Sequence, residues 1–409
     1  MADFARTVSN LIRDYPIDAA WQRGVYEWMH MHPELAMREV ETQRRIVEEL
    51  SRFDCRVITP IGGTGICAVF ENGPGKVVLH RADFDALPVV EETGVPYAST
   101  NAAMHACGHD IHTTALLSMC DVLDRAREHW SGTFVALFQP AEETGEGAEA
   151  MVADGLREKI PAPDICFAQH VMPGLAGEVM SKPGPQFAAC DSIRITIPGR
   201  SAHGSMPHEA IDPTFTAAMI IPRLQAIVGR EVNPADFAVI TVASMHAGST
   251  NNIIPGSAEL VLNCRFYSDE VKAQVYAAIE RVVRAEVVAS GVDEQPSISY
   301  FAHGELLNND ATVFSSIRPL LDTHFGPRSV TADPKTVSED FPAIPAAFDA
   351  PYFFWLVGCT PEADFRRGNI PVNHMPTFLP DYEPTIRSAT EAGLVAVLSV
   401  LGAGAAAQR

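Results

Sequence analysis

Several short apolar runs in this chain end in residues that bind metals or move protons, and that recurrence restricts the fold more than any other feature. KVVLHRAD (76–83) brings Arg81 and Asp83, with Asp85 just beyond; FVALFQP (134–140) leads to Glu142 and Glu143; DICFAQH (164–170) ends at His170. Helical spacing fills the intervals, over 21–53 with Trp21, Val25 and Trp28 on one face, from Asp110 to about Trp130, and near 147–157. Short buried strands alternating with helices predict crossover units and a mostly parallel sheet covered on both faces. In such a sheet ligands gather beyond the carboxyl ends of the strands. The three runs, together with HACGHD (His105, Cys107, His109, Asp110), therefore deliver carboxylates, imidazoles and a thiol to one rim.

From about Asp191 the pattern changes. SIRITIPG, FAVITVASMHAG and AELVLNCRFY alternate apolar and polar residues, and helical stretches near 213–230 and 269–290 accompany them. That combination predicts a separate α+β unit with a mostly antiparallel sheet. Beyond about residue 303 the alternating style returns, with the apolar run YFFWLVG and a last helix over 384–401. The expected organisation is one α/β domain in two segments, 1–186 and 301–409, split by an inserted α+β domain at 187–300. The tail GAGAAAQR is expected to fray.

Composition removes several classes of function. The 409 residues include 30 Lys+Arg and 51 Asp+Glu, a formal charge of −21. A surface this acidic repels phosphate, which excludes nucleic acid and anionic membrane as expected partners. No window approaches the roughly 20 apolar residues of a membrane helix, and the first residues, MADFARTVSNLIRDYPID, lack the pattern of a secretory signal. Eight cysteines without a CxxC pair read as buried thiols in a reducing compartment, so a cytoplasmic location is expected.

Thiolate, imidazole and carboxylate together suit zinc or a similar first-row divalent ion. Cys107 and His109, two apart, can face the same or adjacent ions. On a turn, one of Glu142 and Glu143 can bind metal while the other faces a water whose pKa the metal has lowered to about 7. Metal-assisted hydrolysis follows from that set. The competing readings are structural: a buried thiol, a solvated acidic loop, core histidines. A phosphate loop at TGEGA is excluded, since it has no lysine and its glutamates repel phosphate.

HRADFDALP, MHACGHDIH, QPAEETGEGA, FAQHV, SAHGSMPH, NNIIP, SEDF and NHMPTF occur in the order found in the M20 family of metallo-amidohydrolases. The branch that the chain most resembles comprises hippurate hydrolases, indole-acetyl-amino-acid hydrolases and N-acyl-amino-acid aminoacylases, with a suggestive likeness to bacterial N-acyl-glutamine aminoacylases. The likeness runs from about residue 25 to the C-terminal helix. It implies a zinc-peptidase-like catalytic domain with an inserted lid and dimerisation domain. It also implies a centre of two divalent ions, Zn2+ or alternatively Mn2+ or Co2+, held by Cys107, His109, Glu143, His170 and His374. Cys107 would replace a bridging carboxylate, Glu142 would be the general base, and Asp83 would orient a ligand imidazole. His203 would reach the neighbouring subunit's site in a homodimer and stabilise the oxyanion, and Asn252 would hold substrate. The chain departs from that branch at Ser201 and Ala202, where two glycines are usual, and at Asn373, where a second histidine commonly precedes His374. It also lacks the small-residue run before Arg265. The implied activity is hydrolysis of the amide bond of small N-acyl amino acids. A dipeptidase of the same family, or a non-catalytic binder of metal or ligand, are the alternatives.

Overall fold

Four of the apolar runs lie side by side as parallel strands, in the order Gly132–Gln139, Val77–Asp83, Ile165–Leu175, Tyr352–Thr360. They belong to a computed structural model that describes residues 2–402 apart from 369, with side chains from residue 8 onward. The expected fraying of the tail concerns residues that, from 403 on, lie outside those described. Two compact units are present. The first comprises Met1–Gln186, Asn308–Asp333 and Asp340–Arg409; the second comprises Phe187–Leu307 with Pro334–Glu339.

In the first unit the four parallel strands form the middle of an eight-stranded sheet. They are buried along nearly their whole length, as the central strands of a sheet covered on both faces are. Phe134, Phe138, Phe167 and Trp355 are fully buried, each stabilising the fold by roughly 1.5–3 kcal/mol relative to exposure. The helix His109–Arg125 is almost entirely buried, and the helix Tyr382–Leu401 packs along it. The mostly parallel sheet read from the sequence is present, but its flanks are not parallel. Arg56–Ile61 and Gly65–Asn72 form an antiparallel hairpin beside Gly132–Gln139, and Val179–Ser181 runs antiparallel to Tyr352–Thr360. The hairpin turns on Gly62 at φ +60, where an added Cβ would lie 2.4 Å from the Met151 amide nitrogen. Only glycine fits there.

The second unit is a four-stranded antiparallel sheet in the order Ala238–Ala247, Ser257–Phe266, Ala189–Pro198, Ser297–Gly304. The helices Pro213–Arg230 and Asp269–Ala289 supply its core partners. Exposure along Ser257–Phe266 alternates residue by residue, as a sheet with one solvated face requires. Asp212 and Ser268 cap the two helices through their side chains. The unit runs past residue 300, because Ser297–Gly304 continues to pair with Ala189–Pro198. It also takes in 334–339, where Val337 O accepts the Ala188 amide at 2.9 Å. Ser297–Gly304 is mostly exposed, although it carries Ile298, Tyr300 and Phe301.

All eight cysteines are free thiols, seven of them buried. Among the described residues no helix is long and apolar enough to cross a membrane.

Candidate metal centre

The ligand-type residues of the first unit stand just past the ends of its central strands. Asp83 closes Val77–Asp83, and Asp85 follows two residues later. Gln139 closes its strand; then Ala141, at φ +50, turns the chain so that Glu142 and Glu143 leave the sheet. The Glu39 carboxylate, fully buried, accepts the Ala141 amide at 3.0 Å and pins that turn. His109 begins the long buried helix, capped by Gly108 at φ +83. A Cβ on Gly108 would lie 2.2 Å from Val171 Cγ2, so glycine lets this turn press against the strand that carries His170. His374 is also left-handed, at φ +71, and its amide donates to Ala106 O at 2.8 Å. Two non-glycine residues in this conformation within one site mark concentrated backbone strain.

These segments converge. Donor atoms of Cys107, His109 and His170 all lie within 4.8 Å of one another, and so do those of Cys107, Glu143 and His374. Cys107 belongs to both groups. Its Sγ is 3.4 Å from His170 Nε2, and Glu143 Oε2 is 3.3 Å from His374 Nε2. Around His109 Nε2 stand Asp83 at 3.7 Å, Glu142 at 3.8 Å and Glu143 at 3.9 Å. His109 Nδ1 faces two Asp85 acceptors, the backbone oxygen at 3.0 Å and the carboxylate at 3.2 Å. Nδ1 therefore carries a proton and directs Nε2 at the cluster. Asp85 also accepts the Glu143 amide at 3.0 Å, holding two neighbouring donors at once.

The residues fit a bound cation. His109 Nε2 and Glu143 Oε1 are buried without a hydrogen-bond partner, an uncommon state for buried polar atoms. Burial raises the Glu143 carboxyl to about 7, with His109 opposing and Asp85 adding to the rise. Burial, then Glu143, Glu142 and Asp83, push the Cys107 thiol well above its ordinary range. Burial alone would depress His109, but Asp83, Asp85 and Glu143 lift it to about 10. So much negative charge around one lone pair draws positive charge to it, and a divalent ion answers that field. Burial lowers the His170 imidazole well below its ordinary range and His374 less so, which favours the neutral form in which imidazole binds metal.

Asp83 departs from its expected part. Its carboxylate bonds His112 Nδ1 at 2.5 Å and Arg81 at 2.7 Å, so the imidazole it orients is that of His112; Asp85 orients His109 instead. Asp85 was legible as a second carboxylate two residues on, hence on the same strand-end face. Glu39 left no such signal. Asn373, in the place of the usual histidine, directs its amide at Val171 O (3.2 Å) and the Cys107 Sγ (3.6 Å). His203 and Asn252 are neighbours within the second unit, where Ala202–His203 pairs with Ile253–Ile254 and the Gly204 amide donates to Asn252 O at 2.7 Å. Ser201 donates to Ile254 O at 2.7 Å, tying the same loop pair. Arg265 is spent inside that unit on Asn263 and the Thr336 carbonyl.

Comparison with known proteins gives a consistent set of relatives. The sequence profile of peptidase family M20/M25/M40 matches residues 79–379. An N-acetyl-L-cysteine deacetylase of Bacillus subtilis (strain 168) is 35% identical over 78% of this chain and 76% of its own length. A hippurate hydrolase of Campylobacter jejuni is 36% identical over 76% of this chain and 82% of its own. Among solved structures, a dinuclear metal-binding M20 peptidase of Bacillus subtilis superposes with a TM-score of 0.78 at 29% identity, covering 93% of this chain and 98% of that one.

Proposed function

The chain belongs to peptidase family M20/M25/M40, and from that premise we propose that it hydrolyses the amide bond of N-acyl amino acids, releasing a carboxylic acid and a free amino acid. One observation carries the proposal: two donor groups share the Cys107 thiol, and two buried donor atoms beside it, His109 Nε2 and Glu143 Oε1, have no hydrogen-bond partner. Relatives that act on N-acetylcysteine and on hippurate support the substrate class.

Cys107, His109, Glu143, His170 and His374 would hold two divalent ions, zinc by donor type, with manganese or cobalt as alternatives. When bound, the ions supply Lewis-acid polarisation of the scissile carbonyl and acidify the attacking water. Glu142 accepts the water's proton on its carboxylate and returns it to the nitrogen of the leaving amine. The division of labour between the two glutamates follows their neighbours, since Glu143 faces both His374 and His109. His203 is exposed, with Nδ1 engaged by Ser205 Oγ at 2.7 Å; we assign it to oxyanion stabilisation and Asn252 to holding substrate.

A panel of N-acetyl, N-benzoyl and longer N-acyl amino acids beside free-amine dipeptides, run on zinc-, manganese- and cobalt-loaded protein, tests this. Cleavage of the N-acyl compounds is expected. Preference for dipeptides would make the enzyme a peptidase, and no turnover with ions bound would make it a binding homologue.

The same proposal includes a homodimer. The helix Pro213–Arg230 turns Phe215 (61% exposed) and Met219 (39%) outward, with Ala218, Pro222 and Ala226 also exposed on it. Beside it Ala238–Ala247 is the edge of its sheet. An apolar helix face next to an open strand edge suits a second copy of the same surface. Phe215→Glu combined with Met219→Glu is expected to convert dimer to monomer in light scattering; an unchanged mass would move the interface elsewhere. With eight free thiols, a reducing cytoplasmic setting belongs to the same proposal.

A further inference from the structure

We infer that Arg81, Asp83 and His112 form a relay that positions His170 and fixes the tautomer in which it meets a metal; the inference rests on the metal-centre assignment above. The chain of contacts starts at a backbone amide. Val171 N–H donates to His112 Nε2 at 2.8 Å. An amide can only donate, so His112 Nε2 carries no proton and the ring's hydrogen is on Nδ1, 2.5 Å from Asp83 Oδ1. The other Asp83 oxygen accepts from Arg81 at 2.7 Å. Arg81 is a fully buried cation that also donates to Gln139 at 2.9 Å and to Asp340 at 3.1 Å. A buried charge so completely engaged is held in one place.

At its other end the relay reaches the cluster. The residue whose N–H is gripped by His112 offers its carbonyl to the next histidine, since Val171 O accepts from His170 Nδ1 at 2.7 Å. That bond puts the His170 proton on Nδ1 and leaves Nε2 unprotonated, 3.4 Å from the Cys107 thiol. Arg81 thus sets Asp83, Asp83 sets His112, His112 holds Val171 by its amide, and the carbonyl on the other side of the same residue's Cα sets His170. The same facts remove a rival role for His112. Donor atoms of Asp83, His109 and His112 also lie within 4.8 Å of one another, but both His112 nitrogens are committed to hydrogen bonds, so this trio is not a third ion site. His112 is a positioning residue.

Two measurements test the relay. In metal-free wild-type protein, imidazole ¹⁵N spectra assigned to His112 are expected to show protonated Nδ1 and unprotonated Nε2; the opposite tautomer would overturn the inference. In cobalt titrations, His112→Phe is expected to weaken binding of one ion about 10–100-fold, the range for loss of a ligand's supporting partner, and to alter the Co2+ ligand-field absorption. His112→Gln, whose amide oxygen can accept the Val171 N–H, is expected to recover most of the affinity. Wild-type affinity and spectrum in His112→Phe would sink the relay. If that variant fails to fold, His112→Gln and the tautomer decide. If wild-type protein binds no cobalt through its thiol, the metal-centre assignment fails, while the ¹⁵N tautomer still reports separately on the Arg81–Asp83–His112 geometry.

Discussion

Replacing Glu142 by glutamine is expected to leave fold and metal content unchanged and to cut turnover of N-acyl amino acids about 10²–10⁴-fold, the usual worth of a general base. Glutamine matches glutamate in size and shape but has no oxygen basic enough to take a proton from water. Glu142 is well placed to act as that base, because its Oε2 is 3.8 Å from His109 Nε2, on the side where the donor atoms converge, and its side chain is 11% exposed. Glu143→Gln makes the informative contrast. Glu143 touches both the His109 and His374 nitrogens, so its loss is expected to lower metal content along with activity. Elemental analysis beside kcat separates the two effects. Turnover of Glu142→Gln within tenfold of the parent would remove Glu142 from the chemistry.

The sequence exposed the parts of this protein that lie where apolar runs stop. Val77–Asp83, Gly132–Gln139, Ile165–Leu175 and Tyr352–Thr360 are legible because burial on both faces makes them continuous apolar runs. Cys107, His109, Glu142, Glu143 and His170 stood out because each follows such a run or opens the long helix. Of the hairpin Arg56–Ile61/Gly65–Asn72 the first strand gives no apolar signature: it contains Pro60 and is largely exposed, which is edge-strand chemistry, whereas the second is buried. His374 sits in an irregular loop at φ +71, so only its likeness to a family motif singled it out. Asp83 and Asp85 were both visible, but which carboxylate reaches which imidazole depends on where the helix His109–Arg125 starts, a matter of tertiary geometry. Glu39 is the clearest omission. It precedes an ordinary amphipathic helix, yet it pins Ala141 across about a hundred residues of chain, and no local pattern reports such a contact.

Replacing Cys107 by alanine is expected to lower metal content sharply, and the reason is its double membership. The thiol belongs to the Cys107–His109–His170 group and to the Cys107–Glu143–His374 group, so one substitution leaves each with only two of its three donors. Loss of a supporting partner alone costs about 10–100-fold in affinity, and loss of a shared ligand must cost at least that at both positions. The fold should survive, because the contacts of Cys107 Sγ to His170 at 3.4 Å and to Asn373 at 3.6 Å are long, and its remaining neighbour, Glu143, belongs to the same donor cluster. Cys107→Asp supplies the control. A carboxylate is also an anionic donor that can bridge two ions, so it is expected to restore metal content although it prefers harder ions than a thiolate does. Elemental analysis after dialysis against a weak chelator, with denaturant unfolding of the metal-free forms as a check on folding, reads both variants. If the alanine variant keeps two ions per chain, Cys107 is not shared between them, and the two donor groups are neighbours in space without acting as one centre.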